Sequence, residues 1–388
     1  MITHLYIDGF KSLRNIDLNP ARLNILVGPN GSGKSSVLQA LLLLRQSANA
    51  INGEVDGLRL SGELYEAGLP IDAIHPDASH TIKIKLSDGP SNFQGKFVYD
   101  REDDGATSNR RLSGFSEGNL PLALFERTGE FAYLNAERIG PRVAYQLPSG
   151  DDTVNGRVGK FGEFTTATLA RAFNNQQKVD AWNERTTSLF ANAFKSLDGN
   201  ALVDEVLASQ GSIFRLSNAA LGWIVPGASF SAIENSDTDS ATLLFIRDTQ
   251  GIKAKVRTTH IGFGLTYALP IVVAGLTLRS YYGLLLVENP EAHLHPYSQS
   301  RMGAFLALIA STNRQIFIET HSDHLVNGIR LAVRYGLVPA NDVRIYFFHN
   351  SLEAEQSEVS NIEIDALGGL ASWPAGFFDQ IERDLSRL

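Results

Sequence analysis

The chain has 388 residues, 43% of them hydrophobic and 20% charged, which is enough to bury a sizeable core as two domains or as one large α/β domain with insertions. It contains no cysteine, which excludes disulfides, a cysteine nucleophile and thiolate metal sites, and which is consistent with a cytoplasmic protein. The net charge of −8 gives no support for a broad electrostatic grip on nucleic acid, although local basic patches remain compatible with it.

Neither a secretion signal nor a membrane span is predicted. The first residues, MITHLYIDGF, lack the basic and apolar regions of a signal peptide. The longest apolar run, Leu265–Leu278, includes Pro270 and is shorter than the roughly 20 residues that a membrane helix needs.

A β-hairpin is predicted at the N-terminus, with strands at Ile2–Asp8 and around Ile16–Leu18. Lys11 and Arg14 lie between these strands. They either face a ligand that the next segment binds or are ordinary surface charges of a hairpin, and both interpretations stay open.

The segment Gly28–Ser36 reads GPNGSGKSS and fits the pattern Gly-x-x-x-x-Gly-Lys-Ser. A buried-strand pattern, Leu23–Val27, precedes it, and a run of helix formers, Ser35–Arg45, follows it. In this context the glycine-rich backbone and the helix N-terminus bind phosphate. Lys34 can then reach the β- and γ-phosphates, and the Ser35 hydroxyl can bind Mg²⁺. The predicted nucleotide-binding residues are Asn30, Gly31, Ser32, Gly33, Lys34, Ser35 and Ser36.

The next segment has the pattern of an antiparallel sheet. Thr81–Leu86 (TIKIKL) alternates apolar and cationic residues, as a half-exposed antiparallel strand does, and Gly95–Tyr99 is also strand-like. The charged, glycine-rich stretch Asp100–Gly118 is predicted to be an exposed loop.

A buried strand, Phe131–Leu134, runs into the polar segment Asn135–Arg142. Because α/β folds place ligand contacts after strands, Glu137 and Arg138 are candidate site residues, with solvated loop charges as the alternative.

A helical insertion is predicted over Glu163–Ser196 and on to about Leu207. Ser212–Val256 has short strand signals, among them Leu243–Arg247. The aromatic and apolar residues expected in the core of the helical block are Leu169, Phe173, Trp182, Phe190 and Phe194.

Two glycines in Thr258–Thr266 (TTHIGFGLT) precede an apolar, helix-like run, Tyr267–Leu278. Such a helix start can bind an anion, although by itself this signal is weak.

In Leu284–Pro296 (LLLVENPEAHLHP), a buried strand ends at Glu288, which can hold Mg²⁺ directly or through water, opposite Ser35. Glu291 can orient or deprotonate a water molecule. His293 and His295 share a face of an extended segment, but zinc usually takes three or four protein ligands. Contacts of these histidines with neighbouring residues or phosphates are therefore favoured over a metal site.

Gln315–Glu319 is another predicted buried strand, and His321 follows it, where it can hydrogen-bond a γ-phosphate or an attacking water. A Ser322–His321–Asp323 hydrolase triad is a weaker alternative because no Gly-x-Ser-x-Gly elbow surrounds the serine. The predicted closing elements are strands at Val343–Phe348 and Asn361–Asp365 and an acidic turn at Ser351–Ser357.

These motifs resemble those of ABC-type ATPases of the SMC, RecF and OLD class over nearly the whole chain. IDGFKSLRNIDL is similar to the opening of RecF-like heads, GPNGSGKSS to Walker A, LLLVENPEAHLHP to Walker B with the D-loop, and ETHS to the switch-histidine segment. YLNAERIGPR, THIGFGLTYALPI and WPAGFFDQ most resemble a narrower bacterial subfamily. Its C-terminal domain has no assigned function, and its members often lie in anti-phage defence islands.

The resemblance implies an α/β fold, namely an ABC-type P-loop NTPase head with a mixed central sheet, an antiparallel β subdomain and a helical insertion. The expected domains are 1–160, 161–257 and 258–388. ATP and Mg²⁺ are the implied cofactors, with Glu288 as the Walker B acid and His321 as the γ-phosphate sensor. The signature that caps the nucleotide of a partner subunit would be Gly262, Phe263, Gly264, Leu265 and Thr266.

The sequence departs from this class in three places. The signature lacks the Ser-Gly-Gly-Gln core, so capping of a partner's nucleotide is an open question. Asn289 stands where the catalytic glutamate is usual, which lowers the expected hydrolysis rate or moves the base role to Glu291. The Q-loop has two candidates, Gln46 and the Asn135–Arg138 loop.

The first functional hypothesis is therefore an ATPase that dimerises around two ATP·Mg²⁺ and gates a separate effector, such as a nuclease, in phage defence. The segment after Asp365 is too short for the TOPRIM nuclease of OLD enzymes, so nuclease activity is expected from another chain. The alternatives are a RecF-like DNA-binding repair ATPase and a nucleotide-responsive scaffold with little hydrolysis.

Overall fold

The structure is a computed structural model that describes residues 1–99, 110–126, 130–148, 157–249, 252–350, 356–374 and 376–388. The strands in chain order are β1 (His4–Asp8), β2 (Ile16–Leu18), β3 (Leu23–Val27), β4 (Gly57–Arg59), β5 (Thr81–Ser87), β6 (Asn92–Val98), β7 (Arg111–Glu117), β8 (Phe131–Leu134), β9 (Tyr145–Gln146), β10 (Phe230–Asn235), β11 (Ser240–Thr249), β12 (Ile252–Arg257), β13 (Leu284–Glu288), β14 (Gln315–Glu319), β15 (Val343–Asn350) and β16 (Ser357–Ile362). The helices are α1 (Lys34–Ser47), α2 (Pro70–Ala73), α3 (Thr165–Asn174), α4 (Glu184–Ser196), α5 (Val203–Ser209), α6 (Ile213–Ile224), α7 (Phe263–Thr277), α8 (Pro296–Ser311), α9 (Asp323–Arg334) and α10 (Gln380–Leu385).

The chain forms two compact units, and the first comprises Met1–Arg127, Val343–Ile364 and Leu370–Leu388. It contains a six-stranded antiparallel sheet in the order β2-β1-β5-β6-β7-β4. Every second side chain of β5 and β6 is buried, as the alternation in the sequence predicts for a sheet with one face on the core. This sheet is the expected antiparallel β subdomain.

The prediction of a loop over Asp100–Gly118 is wrong for Arg111–Glu117, which forms β7 between β6 and β4. Residues 100–109 lie outside the described part of the chain. A glycine inside a strand hides the strand pattern, and here Gly114 allows a close approach of backbones. A Cβ at this position would lie 2.3 Å from the carbonyl oxygen of Lys96.

The first unit also holds the strand that leads into the glycine-rich segment. All five residues of β3 are buried, and β3 pairs in parallel with β15, which pairs antiparallel with β16. This mixture of directions fits the mixed sheet that we expected. The last predicted strand was misplaced, because β16 is Ser357–Ile362, so Ser357 lies in a strand and not in the acidic turn. Residues 351–355 of that turn lie outside the described residues.

The second unit comprises Thr128–Asp342 with Asp365–Gly369. Its central strand, β13, pairs in parallel with β8 on one side and β14 on the other. The carboxyl ends of these strands are in register, since Val287 lies opposite both Leu134 and Ile318. Polar residues that follow β8, β13 and β14 therefore emerge at one edge of the sheet. A separate antiparallel sheet, β10-β11-β12, has β9 paired to β11.

The helical insertion is made of α3 to α6. The helix predicted over Glu163–Ser196 is two helices, α3 and α4, and Ile213–Ile224 forms α6 where short strands were predicted. Leu169, Phe190 and Phe194 are buried as expected, whereas Phe173 is 60% exposed. Within the ranges described above, no helix is long and apolar enough to cross a bilayer. The domain boundaries predicted at 160 and 257 stay a prediction.

Candidate functional site

The glycine-rich segment connects β3 to α1 through backbone conformations that favour glycine. Gly28, Gly31 and Gly33 have φ values of 141°, 74° and 96°. Gly33 is the N-cap of α1, no side chain caps this 14-residue helix, and its first turn contains no acidic residue. The helix therefore presents its N-terminal backbone N–H groups and its positive dipole end in the way that phosphate binding requires.

Lys34 is folded into this loop. Its side chain is buried, and its Nζ donates to the carbonyl oxygens of Gly28 (2.9 Å) and Pro29 (2.7 Å). Ser32 Oγ donates to the same Pro29 carbonyl at 2.9 Å. These bonds keep the ammonium group beside the loop backbone. Asn30 and Gly31 are exposed at the tip, Ser35 is half-buried, and Ser36 is buried.

The loop rests on the C-terminal strands, a contact that no local sequence pattern predicts. A Cβ at Gly33 would lie 2.2 Å from Ser357 Oγ, and a Cβ at Gly28 would lie 2.1 Å from the carbonyl oxygen of Phe348. Ser357 Oγ donates to Ser12 Oγ, and Ser357 N donates to Ser12 O, both at 2.8 Å. The two glycines are therefore required by close packing as well as by backbone conformation.

Lys11 and Arg14 are held by neighbours within the first unit. Lys11 Nζ donates to Gln39 Oε1 (2.9 Å) and to the hydroxyl of Tyr65 (2.5 Å), and burial lowers the pKa of Lys11. Arg14 Nε donates to the carboxylate of Asp8 at 2.9 Å. Both side chains therefore contribute to the packing of the hairpin against its surroundings.

Gln46, one of the two Q-loop candidates, lies near the end of α1 and hydrogen-bonds the backbone of Arg59 and Tyr65. Its Nε2 donates to the carbonyl oxygens of Arg59 (2.8 Å) and Tyr65 (3.1 Å), and its Oε1 accepts from Tyr65 N at 3.1 Å. Because these three bonds use both ends of the side-chain amide, Gln46 has a structural role here.

In the second unit, Glu288 is held at the carboxyl end of β13. The hydroxyl of Tyr133 donates to Glu288 Oε1 at 2.8 Å, and Ala136 N donates to Oε2 at 3.4 Å. Burial raises the pKa of Glu288, while these two bonds and the charge of Arg138 lower it. A carboxylate oriented in this way suits Mg²⁺, which is usually bound by one or two carboxylates together with phosphate oxygens.

Glu291 connects the segment after β13 to the segment after β14. Its Oε1 accepts from His321 N, and its Oε2 accepts from Thr320 Oγ1, both at 2.8 Å. Burial raises the pKa of Glu291, and these hydrogen bonds act against that rise. His321 itself is exposed, next to Ser322, which is the N-cap of α9 and whose Oγ donates to Gln299 at 2.6 Å. The Ser322 hydroxyl thus serves as a helix cap, which argues against the hydrolase triad.

Arg138 joins the loop after β8 to the end of β13. Its Nη1 donates to the carbonyl oxygens of Asn135 (3.0 Å) and Glu288 (2.8 Å), and its Nη2 donates to that of Asn289 (2.6 Å). Burial lowers the pKa of Arg138 to about 10, so the side chain stays charged at neutral pH. Glu137 is exposed, and its backbone N donates to Asn135 Oδ1.

The predicted signature forms the first turn of a helix. We expected the helix to begin at Tyr267, but α7 begins at Phe263, with Gly262 as its N-cap. The Phe263 ring is half-exposed and lies 5.5 Å from the ring of His293, which is 4.6 Å from Tyr267. A Cβ at Gly264 would lie 2.6 Å from the carbonyl oxygen of His293, so this helix start packs directly on the D-loop. The remaining two signature residues, Leu265 and Thr266, continue the same turn.

The two D-loop histidines have local roles. His293 contacts the aromatic rings of the signature turn, and His295 is the N-cap of α8, with Nδ1 accepting from Tyr297 N at 3.3 Å. The described residues include no group of three or more His, Cys, Asp or Glu placed to hold a metal ion. Contacts with neighbours, which we favoured over a metal site, are thus present for both histidines.

Comparison with known proteins gives two family matches. Residues 23–327 match the family described as "AAA domain, putative AbiEii toxin, Type IV TA system", and residues 338–388 match a protein family of unknown function (DUF3696). The second match covers β15 and β16, the strands that pack behind Gly28 and Gly33.

Individual relatives are similar to this chain over different lengths. An OLD nuclease of Thermus scotoductus is 23% identical over 83% of this chain and 59% of its own length. A Septu protein PtuA of Bacillus thuringiensis is 22% identical over 89% of this chain and 78% of its own. A DNA replication and repair protein RecF of Nitrosococcus oceani is 33% identical over 26% of this chain. The chain spans 27% of the RecF protein and 59% of the OLD nuclease.

Solved structures of SMC heads share the fold. The Smc head domain of Pyrococcus furiosus with an extended coiled coil, bound to the C-terminal domain of ScpA, has a TM-score of 0.52 at 13% identity and covers 100% of this chain and 98% of its own. A second Smc head, bound to the C-winged helix domain of ScpA, has a TM-score of 0.51 at 14% identity and covers 93% of this chain and 98% of its own. The predicted fold class is therefore confirmed. The chain belongs to the AAA-domain family named above and is an ABC-type ATPase of the SMC, RecF and OLD class.

Proposed function

We propose that this chain binds and hydrolyses ATP·Mg²⁺. The observation that carries the proposal is the open helix N-terminus beside Lys34. The carboxylate that is held in place after β13 supports it. In this scheme Lys34 binds the β- and γ-phosphates, Ser35 and Glu288 bind the metal, and His321 contacts the γ-phosphate. Bound Mg²⁺ would neutralise charge between the β- and γ-phosphates.

The residue directly after Glu288, where this class usually has its catalytic glutamate, is Asn289, and its side-chain amide cannot accept a proton. We therefore assign the base role to Glu291. Glu291 is half-buried, and its carboxylate is held by the Thr320 hydroxyl and the backbone N–H of His321. A base whose position is fixed can orient a water molecule for in-line attack on the γ-phosphate. If Glu291 is not the base, the alternative is that the protein hydrolyses little ATP and acts as a nucleotide-responsive scaffold.

We further propose that two chains dimerise around ATP through the signature turn. Gly262 and Phe263 are exposed at the start of α7, and Gly264 packs on the D-loop at His293. Contact of this turn with a partner's nucleotide would therefore act on the segment that carries Glu291. The dimer would gate an effector on another chain in cytoplasmic anti-phage defence. The likeness to the OLD nuclease and to Septu PtuA supports this assignment, and a nuclease is the effector that it favours.

The second candidate function is a RecF-like ATPase that clamps DNA. Local similarity to RecF favours it, and the net charge of −8 leans against it. ATP-dependent DNA binding that weakens steeply with added salt would support this candidate.

The test of the first function is to mix the purified chain with ATP·Mg²⁺ and to measure its mass and the phosphate that it releases. We expect a doubled mass and steady release, both absent from Lys34→Ala. A monomer that stays a monomer and releases no phosphate, with Lys34→Ala behaving identically, would refute the proposal.

A further inference from the structure

Arg138 is a buried charge whose hydrogen bonds go to backbone carbonyls. Only 2% of its surface is exposed, and its two Nη atoms bind the carbonyl oxygens of Asn135, Glu288 and Asn289. Its Cζ lies 5.3 Å from the centre of the Tyr267 ring, and its buried Nε has no hydrogen-bond partner in the described part of the chain. One side chain thus touches the loop after β8, the end of β13 and the first turns of α7.

Stability alone does not account for this arrangement. A buried arginine with an unpaired donor is costly, and a well-packed apolar side chain of similar volume often stabilises a core as well or better. The planar guanidinium offers something that an apolar residue cannot, because its donors fix the directions of several acceptors at once. Two of the three acceptors here are the carbonyl oxygens of the consecutive residues Glu288 and Asn289.

The conformation of Asn289 shows what these bonds hold in place. Its φ is 44°, which is unusual for a residue other than glycine, and its N–H donates to the carbonyl oxygen of Glu319 at 2.8 Å. Arg138 binds the carbonyl of the same residue at 2.6 Å. The turn that leads from Glu288 to Glu291 is therefore fixed from both sides.

We infer that Arg138 is a positioning residue that couples the signature turn of α7 to the acidic residues Glu288 and Glu291. Tyr267 lies one turn beyond Phe263, so a displacement of this helix start moves the ring that faces the guanidinium. The guanidinium then moves the backbone between the two acids. The catalytic meaning of this inference rests on the proposed ATPase function. The positioning of the backbone by Arg138 can be tested without measuring ATP hydrolysis.

The second unit offers a matched control in Arg314. This residue is also 2% exposed and also donates to three carbonyl oxygens, those of Leu278, Thr312 and Asp180. None of these is a candidate site residue. The pKa of Arg314 is likewise lowered to about 10 by burial. Arg314→Lys therefore reports what the loss of a buried guanidinium does to the fold by itself.

The experiment compares amide hydrogen exchange in the wild type, Arg138→Lys and Arg314→Lys. Lysine keeps the charge but loses the planar fork. In Arg138→Lys we expect exchange to accelerate by about tenfold or more in peptides 131–140 and 284–294, where the N–H groups of Ala136 and Asn289 are bonded. Arg314→Lys should leave both peptides as in the wild type.

Turnover gives a second readout. Arg138→Lys should lower kcat by about tenfold or more while the nucleotide Kd changes less than about twofold, since no phosphate contact is removed. The inference would be overturned if both peptides of Arg138→Lys exchanged at the wild-type rate. It would also be overturned if Arg314→Lys accelerated exchange in these peptides as much as Arg138→Lys does. A wild-type protein that releases no phosphate would refute the proposed function instead, and the exchange comparison would still decide the role of Arg138.

Discussion

Glu291 Oε1 accepts a hydrogen bond from the backbone N–H of His321 at 2.8 Å, so the proposed base and the proposed γ-phosphate sensor are joined across 30 residues of chain. Thr320 Oγ1 supplies a second bond to the same carboxylate. The contact to His321 is made through its backbone N–H.

Glutamine at position 291 separates the base role from the structural link. Its Oε1 can accept from His321 N and its Nε2 can donate to Thr320 Oγ1, so Glu291→Gln retains the connection but cannot take a proton. We expect kcat to fall by about 10²- to 10⁴-fold with nearly unchanged nucleotide affinity and melting temperature. Glu291→Ala should also lose stability, by about 1–3 kcal/mol, because the buried Thr320 hydroxyl is left without its acceptor. If Glu288→Gln abolishes phosphate release and Glu291→Gln does not, the base assignment is wrong.

The pH dependence of these variants follows from the raised pKa of Glu291. A base must be deprotonated, so kcat should rise with pH through a pKa above the ordinary carboxyl range, and this rise should be missing from the residual rate of Glu291→Gln.

The raised pKa of Glu291 also affects stability, because the carboxyl group in the folded state keeps its proton to a higher pH than in the unfolded chain. The stability of the wild type relative to Glu291→Gln should therefore be greatest below the unfolded pKa and should decline as pH rises through the folded one. Denaturant midpoints across this range check the sign, and a difference that grows with pH would contradict it.

The elements that position the site could be read from the sequence because each is a short, strongly patterned segment. Leu23–Val27, Phe131–Leu134 and Gln315–Glu319 are strands with the predicted bounds, and the strand Leu284–Glu288 ends at Glu288 as predicted. Continuous apolar runs between polar residues leave few alternatives to a buried strand. The family likeness then gave the fold class, which the comparisons confirm.

The errors have physical causes that a local pattern does not carry. Ile213–Ile224 places Ile213, Leu216, Ala220 and Trp223 on one helical face, so its period of 3.6 was available in the sequence and was missed. Phe173 is exposed because its position in α3 faces away from the core, although its ring lies 5.0 Å from that of Phe214. A hydrophobic residue in a helix is not thereby buried.

The contacts that define the site are long-range and could not have been predicted. Ser357 and Gly33 are separated by 324 positions, and Tyr133 and Glu288 by 155. No local signal identifies Arg138 as the donor to three carbonyls, and only its place in a polar loop after a strand marked it as a candidate. Such contacts depend on the register of parallel strands, which a single sequence does not specify.

An exposed aromatic residue in the signature turn offers a test of dimerisation. Phe263 is 51% exposed at the start of α7, and Phe263→Asp should abolish the ATP-dependent increase in mass, because a desolvated interface does not accept an unpaired charge. Nucleotide affinity of the monomer should stay within about twofold, since the P-loop is unaltered. Phe173→Asp, which changes a Phe of the same unit that is 60% exposed, is the control and should dimerise normally. Normal dimerisation of Phe263→Asp would exclude this turn from the interface.

The support of the P-loop by the C-terminal strands can be tested with two glycines of almost equal backbone conformation. Gly33 has a φ of 96° and Gly89 a φ of 97°, so alanine at either position costs about 1–2 kcal/mol of backbone strain. A Cβ at Gly89 meets no atom within 4 Å, whereas a Cβ at Gly33 would lie 2.2 Å from Ser357 Oγ. Both variants should lose stability through this strain, and Gly33→Ala should lose more because of the clash. Only Gly33→Ala should lose nucleotide binding, because the added methyl displaces the loop.

The affinity loss in Gly33→Ala should be about a hundredfold or more in a titration with a fluorescent nucleotide, which corresponds to roughly 3 kcal/mol. Ser357→Ala in the same background removes the atom in closest conflict and should recover part of that affinity, with Leu13 Cδ2 at 2.9 Å still in the way. If the double variant recovers nucleotide affinity but has the same melting temperature as Gly33→Ala, the defect of Gly33→Ala lies in the shape of the loop and not in the stability of the fold. If the second substitution recovers nothing, the contact with Ser357 does not determine the shape of the phosphate loop, and the strain at φ 96° and the contact with Leu13 account for the loss.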